Sequence, residues 1–220
     1  MCSHRAETAE RFSRDMLVHL FRRGQTLFHA GDPAQSMHVI RAGRVRVFTT
    51  WRDGDEQVLR LLGPGEILGY RPILAGETYN ASAEAVVDSQ ICIVPAGTVR
   101  EMLRQDPDLA MRMLEKLARE LRLSEELMMD LVHRPVGQRI ARLLLSLLET
   151  GAAPLPEREI SSSEMTRQDM ARMVGTTPET MSRTLRRLAQ RGVLTVTRDC
   201  VSVRDLDRLR RAAGEHTTAT

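Results

Sequence analysis

The sequence predicts a mixed α+β chain in three parts: an N-terminal β-barrel of the double-stranded β-helix or jelly-roll kind, a long central helix, and a C-terminal winged helix-turn-helix. Three observations carry that prediction. Short alternating runs between Phe21 and Pro95 are cut by turn residues at close intervals, apolar residues beyond Pro95 recur at threes and fours, and two short amphipathic stretches meet at Gly175. With 220 residues, 42% of them hydrophobic, the chain is long enough to bury the cores of two modest domains. The expected boundaries are 1–105 for the barrel, 106–134 for the central helix and hinge, 135–213 for the helix-turn-helix domain and 214–220 for a disordered polar tail.

In the barrel, Met37–Ala42, Gly43–Phe48 and Gln57–Leu62 alternate in polarity, and Gly24, Gly31, Pro33, Gly54, Gly63, Gly65 and Gly69 supply the turns. A short helix, Ala96 to Leu103, leads into the long one, where Pro107 suits the first turn because its missing amide has no partner to lose there. Leu114, Leu117, Leu121, Ser124, Met128 and Leu131 then form a coiled-coil-like seam with one polar interruption. Leu109, Met113, Leu123 and Leu127 lie outside it. One face is therefore assigned to the chain's own barrel and the other to a second copy, making the seam a candidate dimerisation surface. The same periodicity also fits a helix buried wholly inside one chain.

His133–Pro135 breaks this helix and Val136–Leu148 begins another. Beyond a loop reaching Glu159, Thr166 and Asp169 have the spacing of a capping box, and Met170, Met173 and Val174 form the apolar stripe of a short helix. Gly175 ends it. Thr177 caps the next helix, Pro178 takes its first position, and Met181, Leu185 and Leu188 point inward. Helix, glycine turn and helix in this order lay the second helix in a DNA major groove. Its outward residues suit such a placement, with Glu179, Ser182 and Arg183 as candidate base readers. Thr166, Arg167, Thr177, Thr180, Arg186 and Arg187 are candidate contacts to the DNA backbone. Val193–Thr197 and Cys200–Val203 form a hairpin wing with Arg198 at its tip, a further candidate phosphate contact, and Arg204–Ala213 a closing helix.

Charge agrees with this placement. Residues 133–211 hold 15 arginines against 9 acids, whereas residues 1–132 are slightly acidic, within a net charge of +3. A basic surplus at one end is what phosphate neutralisation requires, although a solvated surface would show it too. Cys2, Cys92 and Cys200 are far apart and have no zinc-like spacing, so neither a disulfide framework nor a metal site is expected. The polar first residues and the lack of a long apolar run predict a soluble cytoplasmic protein with no membrane partner.

The order of parts resembles the cyclic-AMP receptor protein and FNR (CRP/FNR) family of bacterial transcription regulators across nearly the whole chain. Residues Met165–Leu188 look like that family's helix-turn-helix, while Phe28–Pro33, Val39–Val45 and Gly63–Gly65 are similar to turns of its cyclic-nucleotide-binding-like barrel. The resemblance implies a homodimer joined by the central helix, a palindromic double-stranded DNA operator and contact with RNA polymerase. Glu179, Ser182 and Arg183 match the FNR branch, and Pro178 stands where the receptor branch has a base-reading arginine. Half-sites of the TTGAT type are therefore implied, with Glu179 and Arg183 on the central G·C pair and Ser182 on a flanking thymine.

In sensing, the chain departs from both branches. The FNR iron–sulfur cluster needs several N-terminal cysteines and only Cys2 is present, so no cofactor is expected. In the nucleotide cassette Tyr70 replaces a glutamate, and Tyr79 and Asn80 stand where an Arg-Ser pair would hold the cyclic phosphate. Cyclic AMP is not expected to bind. Tyr70, Arg71, Tyr79 and Asn80 remain a candidate pocket for another effector, or side chains fill the pocket and nothing binds. Gating by thiol oxidation at Cys200 is a further alternative. The rival from another class, a cupin-like metalloenzyme, needs converging histidines, and His29 and His38 are isolated, so no enzymatic activity is expected.

Overall fold

The computed structural model describes residues 17–51, 54–149, 159–162 and 165–215. Cys2, most of the loop before Glu159, and the tail after Glu215 lie outside them. The described chain forms two compact units, one running to Thr49 and resuming at Gly63–Glu126, the other made of Thr50–Leu62 and everything from Leu127 onward. The division falls within the long helix, not at either end of it.

In the first unit the strands are β1 (Leu17–Phe21), β2 (Thr26–Phe28), β3 (Ser36–Ala42), β4 (Val45–Thr50), β6 (Ile67–Leu68), β7 (Ser82–Ala85) and β8 (Ser89–Pro95); β5 (Glu56–Leu62) continues the chain after β4. They make two four-stranded sheets, ordered β1-β8-β3-β6 and β2-β7-β4-β5. This is the expected double-sheet barrel. β-branched and other apolar residues supply its interior: Ile40 pairs with Ile91 across β3 and β8, and Val45 with Ala85 across β4 and β7, all four at most 1% exposed. Cys92 is buried in the same wall. β1 begins four residues before Phe21, a strand that its exposed Leu17, Val18 and Leu20 did not announce as half-buried alternation.

A short helix, α1 (Tyr70–Ala75), follows Gly69, whose φ of 78° is left-handed. A Cβ there would lie 2.9 Å from the Ser36 carbonyl and 3.0 Å from the Tyr79 ring, so only glycine lets the chain turn this close to β3. Helix α2 (Ala96–Gln105) and helix α3 (Pro107–His133) come next, and α3 begins at Pro107 as its sequence predicts. Met37, Tyr70, Ile73, Val94, Ala96 and Val99 form one apolar cluster on which Met113 and Leu117 of α3 pack.

The second unit contains α4 (Val136–Glu149), β9 (Glu159–Ser161), α5 (Arg167–Met173), α6 (Pro178–Gln190), β10 (Leu194–Val196), β11 (Cys200–Val203) and α7 (Leu206–Ala212). Its sheet is three-stranded, ordered β10-β11-β9: the predicted wing gains a strand, because Val201 pairs with Ile160. Ile140, Leu144, Met165, Met181, Leu185 and Leu209 are at most 2% exposed and form its core. Asp130, near the end of α3, is bridged by Arg134 at 2.5 Å and by Arg142 of α4 at 2.7 Å, which holds the break at Pro135 in one geometry. Segment 50–62 joins this unit through Arg172 of α5, which donates to the Glu56 carbonyl and, at 2.6 Å, to Asp55.

Candidate nucleic-acid interface

Both helices of the turn start as their sequences dictate. The Asp169 amide donates to the Thr166 hydroxyl at 3.1 Å and the Thr166 amide to the Asp169 carboxylate at 3.0 Å, a reciprocal capping box. Gly175, with φ of 61°, makes the bend between α5 and α6; a Cβ there would meet Leu131 Cδ2 at 3.0 Å. On α6 the Thr180 amide donates to Thr177 Oγ1 at 3.2 Å, Pro178 follows the cap, and Met181, Thr184, Leu185 and Leu188 are buried. Burying those four leaves the opposite stripe outward.

On that stripe Glu179, Arg183 and Arg186 are exposed and Ser182 is half-buried, the four following one face at helical spacing; Arg187 is exposed to one side of it. The Glu179 carboxyl is held below the usual range by its own backbone amide first, then by Thr177 and by the charge of Arg183, so it is a carboxylate acceptor. Beside this face lies a cavity of about 530 Å³ lined by Arg167, Ser182, Arg186, Val196, Thr197 and Arg198, among others. Arg167 donates to the Thr197 carbonyl at 2.6 Å and so ties the start of α5 to the wing. Thr197 Oγ1 in turn accepts from the Cys200 amide at 3.1 Å and shapes the wing turn that displays Arg198. The site thus gathers residues from α5, α6 and the wing. Arg187 points elsewhere: its guanidinium lies 3.3 Å from where a Cβ of Gly137 would be, over the first turn of α4. Thr166 and Thr177 are exposed or nearly so, and Thr180, half-buried, has its hydroxyl 3.2 Å from that of Thr177.

Along α3 the predicted seam divides. Leu114, Leu121, Met128 and Leu131 are 48–62% exposed, an apolar stripe of the kind that marks a protein contact. Leu117 instead packs on the barrel cluster, and Ser124 donates to the Glu120 carbonyl at 2.9 Å. Heptad spacing locates a stripe but not which neighbour reaches its edge, and for Leu117 that neighbour is the barrel cluster.

The four candidate pocket residues also separate. Tyr79 is buried, stacks on Phe28 with ring centroids 3.9 Å apart, and donates to the Ser36 carbonyl at 2.6 Å, which makes it a wall of the barrel. Asn80 is exposed. Tyr70 and Arg71 come together with a residue that sequence reasoning did not single out. Arg71 Nε donates to Glu120 Oε2 at 2.9 Å, its Nη2 meets the same oxygen, and Lys116 Nζ lies 3.0 Å from Oε1. Burial pulls the Arg71 pKa down, but the Glu120 hydrogen bond and charge, with Tyr70, leave it above its ordinary value. Burial, then Glu120, pushes the Tyr70 hydroxyl up to about 12. His29 is exposed, whereas His38 is buried; among the described residues no three His, Cys, Asp or Glu side chains are grouped as metal ligands would be. No described helix is long and apolar enough to cross a membrane.

A model of the cyclic nucleotide-binding domain matches residues 18–106, and one of the Crp-like helix-turn-helix domain matches residues 138–212. The cyclic AMP receptor protein of Thermus thermophilus is 34% identical over 187 residues, 84% of this chain and 83% of that protein. The fumarate and nitrate reduction regulatory protein of Escherichia coli K12 is 30% identical over 196 residues, 87% of this chain and 76% of that one. Among solved structures, a CRP-family transcriptional regulator from Thermus thermophilus aligns with a TM-score of 0.71 at 26% identity, covering 92% of this chain and 100% of the other. FixK2 from Bradyrhizobium japonicum aligns with a TM-score of 0.78 at 23% identity over 93% and 99% of the two chains, a likeness of fold. With an outward polar face on α6, an arginine-lined groove and these relatives, the chain belongs to the CRP/FNR family of DNA-binding transcription regulators.

Proposed function

We propose that the chain acts as a homodimer that reads a palindromic operator with TTGAT-type half-sites and does so without cyclic AMP. The observation that carries this reading is the joint exposure of Glu179 and Arg183 beside Ser182 at the start of α6, next to a groove edged by Arg167, Arg186 and Arg198. Arg183 offers guanine two parallel donors, Glu179 accepts from cytosine N4, and the groove arginines neutralise phosphates on either side. The exposed stripe Leu114, Leu121, Met128 and Leu131 supports pairing through α3, which sets two recognition helices one DNA turn apart. Independence from cyclic AMP is supported by Arg71, already engaged by Glu120, and by Tyr79, turned to Ser36. A regulator built this way would meet RNA polymerase once seated on its operator.

The test is a titration of ligand-free protein onto a TTGAT-type palindrome, a TGTGA-type palindrome and a scrambled duplex at one fixed salt concentration, with and without cyclic AMP. Tight binding to the first alone, unchanged by the nucleotide, is the expected result. Binding only when a small molecule is added would show the barrel to be a ligand sensor.

A further inference from the structure

The cluster around Glu120 takes no part in the DNA-facing chemistry. Glu120 is only 9% exposed, yet its carboxylate meets the guanidinium of Arg71 on one oxygen and the ammonium of Lys116, the sole lysine of the chain, on the other. Arg71 stands on α1 and Glu120 on α3, two helices whose apolar sides share the cluster that holds Tyr70, Ile73, Met113 and Leu117. The hydroxyl of Tyr70, itself 2% exposed, is buried beside Glu120 and Arg71, both of which act on it electrostatically, and has no partner at full hydrogen-bond geometry among the described residues. An ion pair needs one cation. Here two cations and a phenol with a donor to spare surround one carboxylate, the donor set that a multi-oxygen anion requires.

We propose that Glu120 is a tethered anion: it occupies from within the chain a site built for a small phosphate or carboxylate, and by doing so locks α1 against α3 in the DNA-binding arrangement. This rests on the reading of the chain as competent without cyclic AMP. A carboxylate withdrawn from water survives only where charges and hydrogen bonds replace its hydration, so the contact specifies one placement of the helices. Removing the side chain leaves Arg71 and Lys116 facing each other without it. The vacated space then takes an oxyanion from solution, and an intrinsically active protein becomes an anion-dependent one.

The experiment compares wild type, Glu120→Ala, Glu120→Gln and the double variant Arg71→Ala/Glu120→Ala. Operator affinity and melting temperature are both measured at constant ionic strength while chloride is exchanged for acetate or for phosphate, because raising total salt would itself weaken DNA binding. Wild type is expected to ignore both anions. Glu120→Ala should bind the operator on the order of tenfold to a hundredfold more weakly, the usual range of allosteric coupling, and recover affinity and gain melting temperature saturably with acetate or phosphate. The double variant should gain neither. Glu120→Gln fills the space without the charge and should lose affinity while staying folded and deaf to anions.

Full operator affinity in Glu120→Ala or Glu120→Gln overturns the proposal, as does an anion response no larger than that of the double variant. If Glu120→Ala does not fold in chloride, folding rescued by acetate supports the site and its failure in both anions overturns it. The melting arm needs no DNA. A wild type that binds no duplex would therefore sink the operator reading, while the anion response of the variants decides the site by itself.

Discussion

The arginines of α6 and the wing differ from Arg71 in where their counter-charge comes from. Arg183, Arg186 and Arg198 are exposed, the last two lining a groove, whereas Arg71 grips a carboxylate whose side chain is only 10% exposed. The first set is left solvated, at a cost in mutual repulsion, and under the proposed function phosphates and base edges supply the missing charge and release bound counterions. In the second the partner is covalently part of the chain, so the interaction contributes to the folded arrangement and asks nothing of solution. A basic side chain therefore reports an external ligand only when its surroundings leave the anion's place vacant.

The contrast is broken most sharply at Arg183. Arg183→Ala should remove sequence preference at a cost of about 1–3 kcal/mol per half-site, up to about 6 over a palindrome, with little change on scrambled DNA. Competition binding with the two duplexes measures it, and an unchanged ratio would mean that the base reader lies elsewhere. His38 probes the barrel alone. Burial holds its pKa down to about 4, so the folded barrel keeps it neutral while the unfolded chain takes up a proton near 6.5. Because the unfolded state then binds the extra proton, stability is intact above about pH 6.5 and declines as the pH falls toward 4, by about 3 kcal/mol in all. Denaturant unfolding at pH 7 and 4.5 should show that decline and should show less of it in His38→Gln; equal declines would contradict the assignment.

Arg198→Ala sharpens the comparison from the phosphate side. It should weaken specific and scrambled DNA alike and reduce the slope of log K against log salt by about 2 for a dimer, one for each wing. A loss confined to the specific duplex would make Arg198 a base contact. The smallest effect is expected at Thr177, whose hydroxyl accepts the Thr180 amide. Thr177→Ala should cost about 1 kcal/mol of stability, measured by chemical denaturation, and leave the choice of operator intact.

Much of this was legible in the sequence where the governing interaction is short in range. The caps at Thr166 and Thr177, Pro107 and Pro178 at helix starts, the bend at Gly175 and the outward stripe of α6 each depend on residues within a turn or two of one another. The missing pieces are long in range. β9 is only three residues, too short for its alternation to stand out and made a strand only by β11, and β1 is an edge strand whose Leu17, Val18 and Leu20 are all exposed.

The candidate pocket shows the same limit. Position in a motif puts Tyr79 and Asn80 beside Arg71, but a hydroxyl pairs with whatever acceptor the fold brings, and for Tyr79 that is Ser36, 43 residues away. Glu120 gave no local sign either, being one acid in a helix that also carries Glu115, Glu125 and Glu126. Helix periodicity and capping act between near neighbours, so the succession of helices and the face that α6 turns outward are already written in the chain. Tertiary structure alone decided that Leu117 belongs to the barrel and that Arg71 meets an anion 49 residues away. Burial and charge pairing depend on which surfaces meet in space, and that is a property of the whole packed unit.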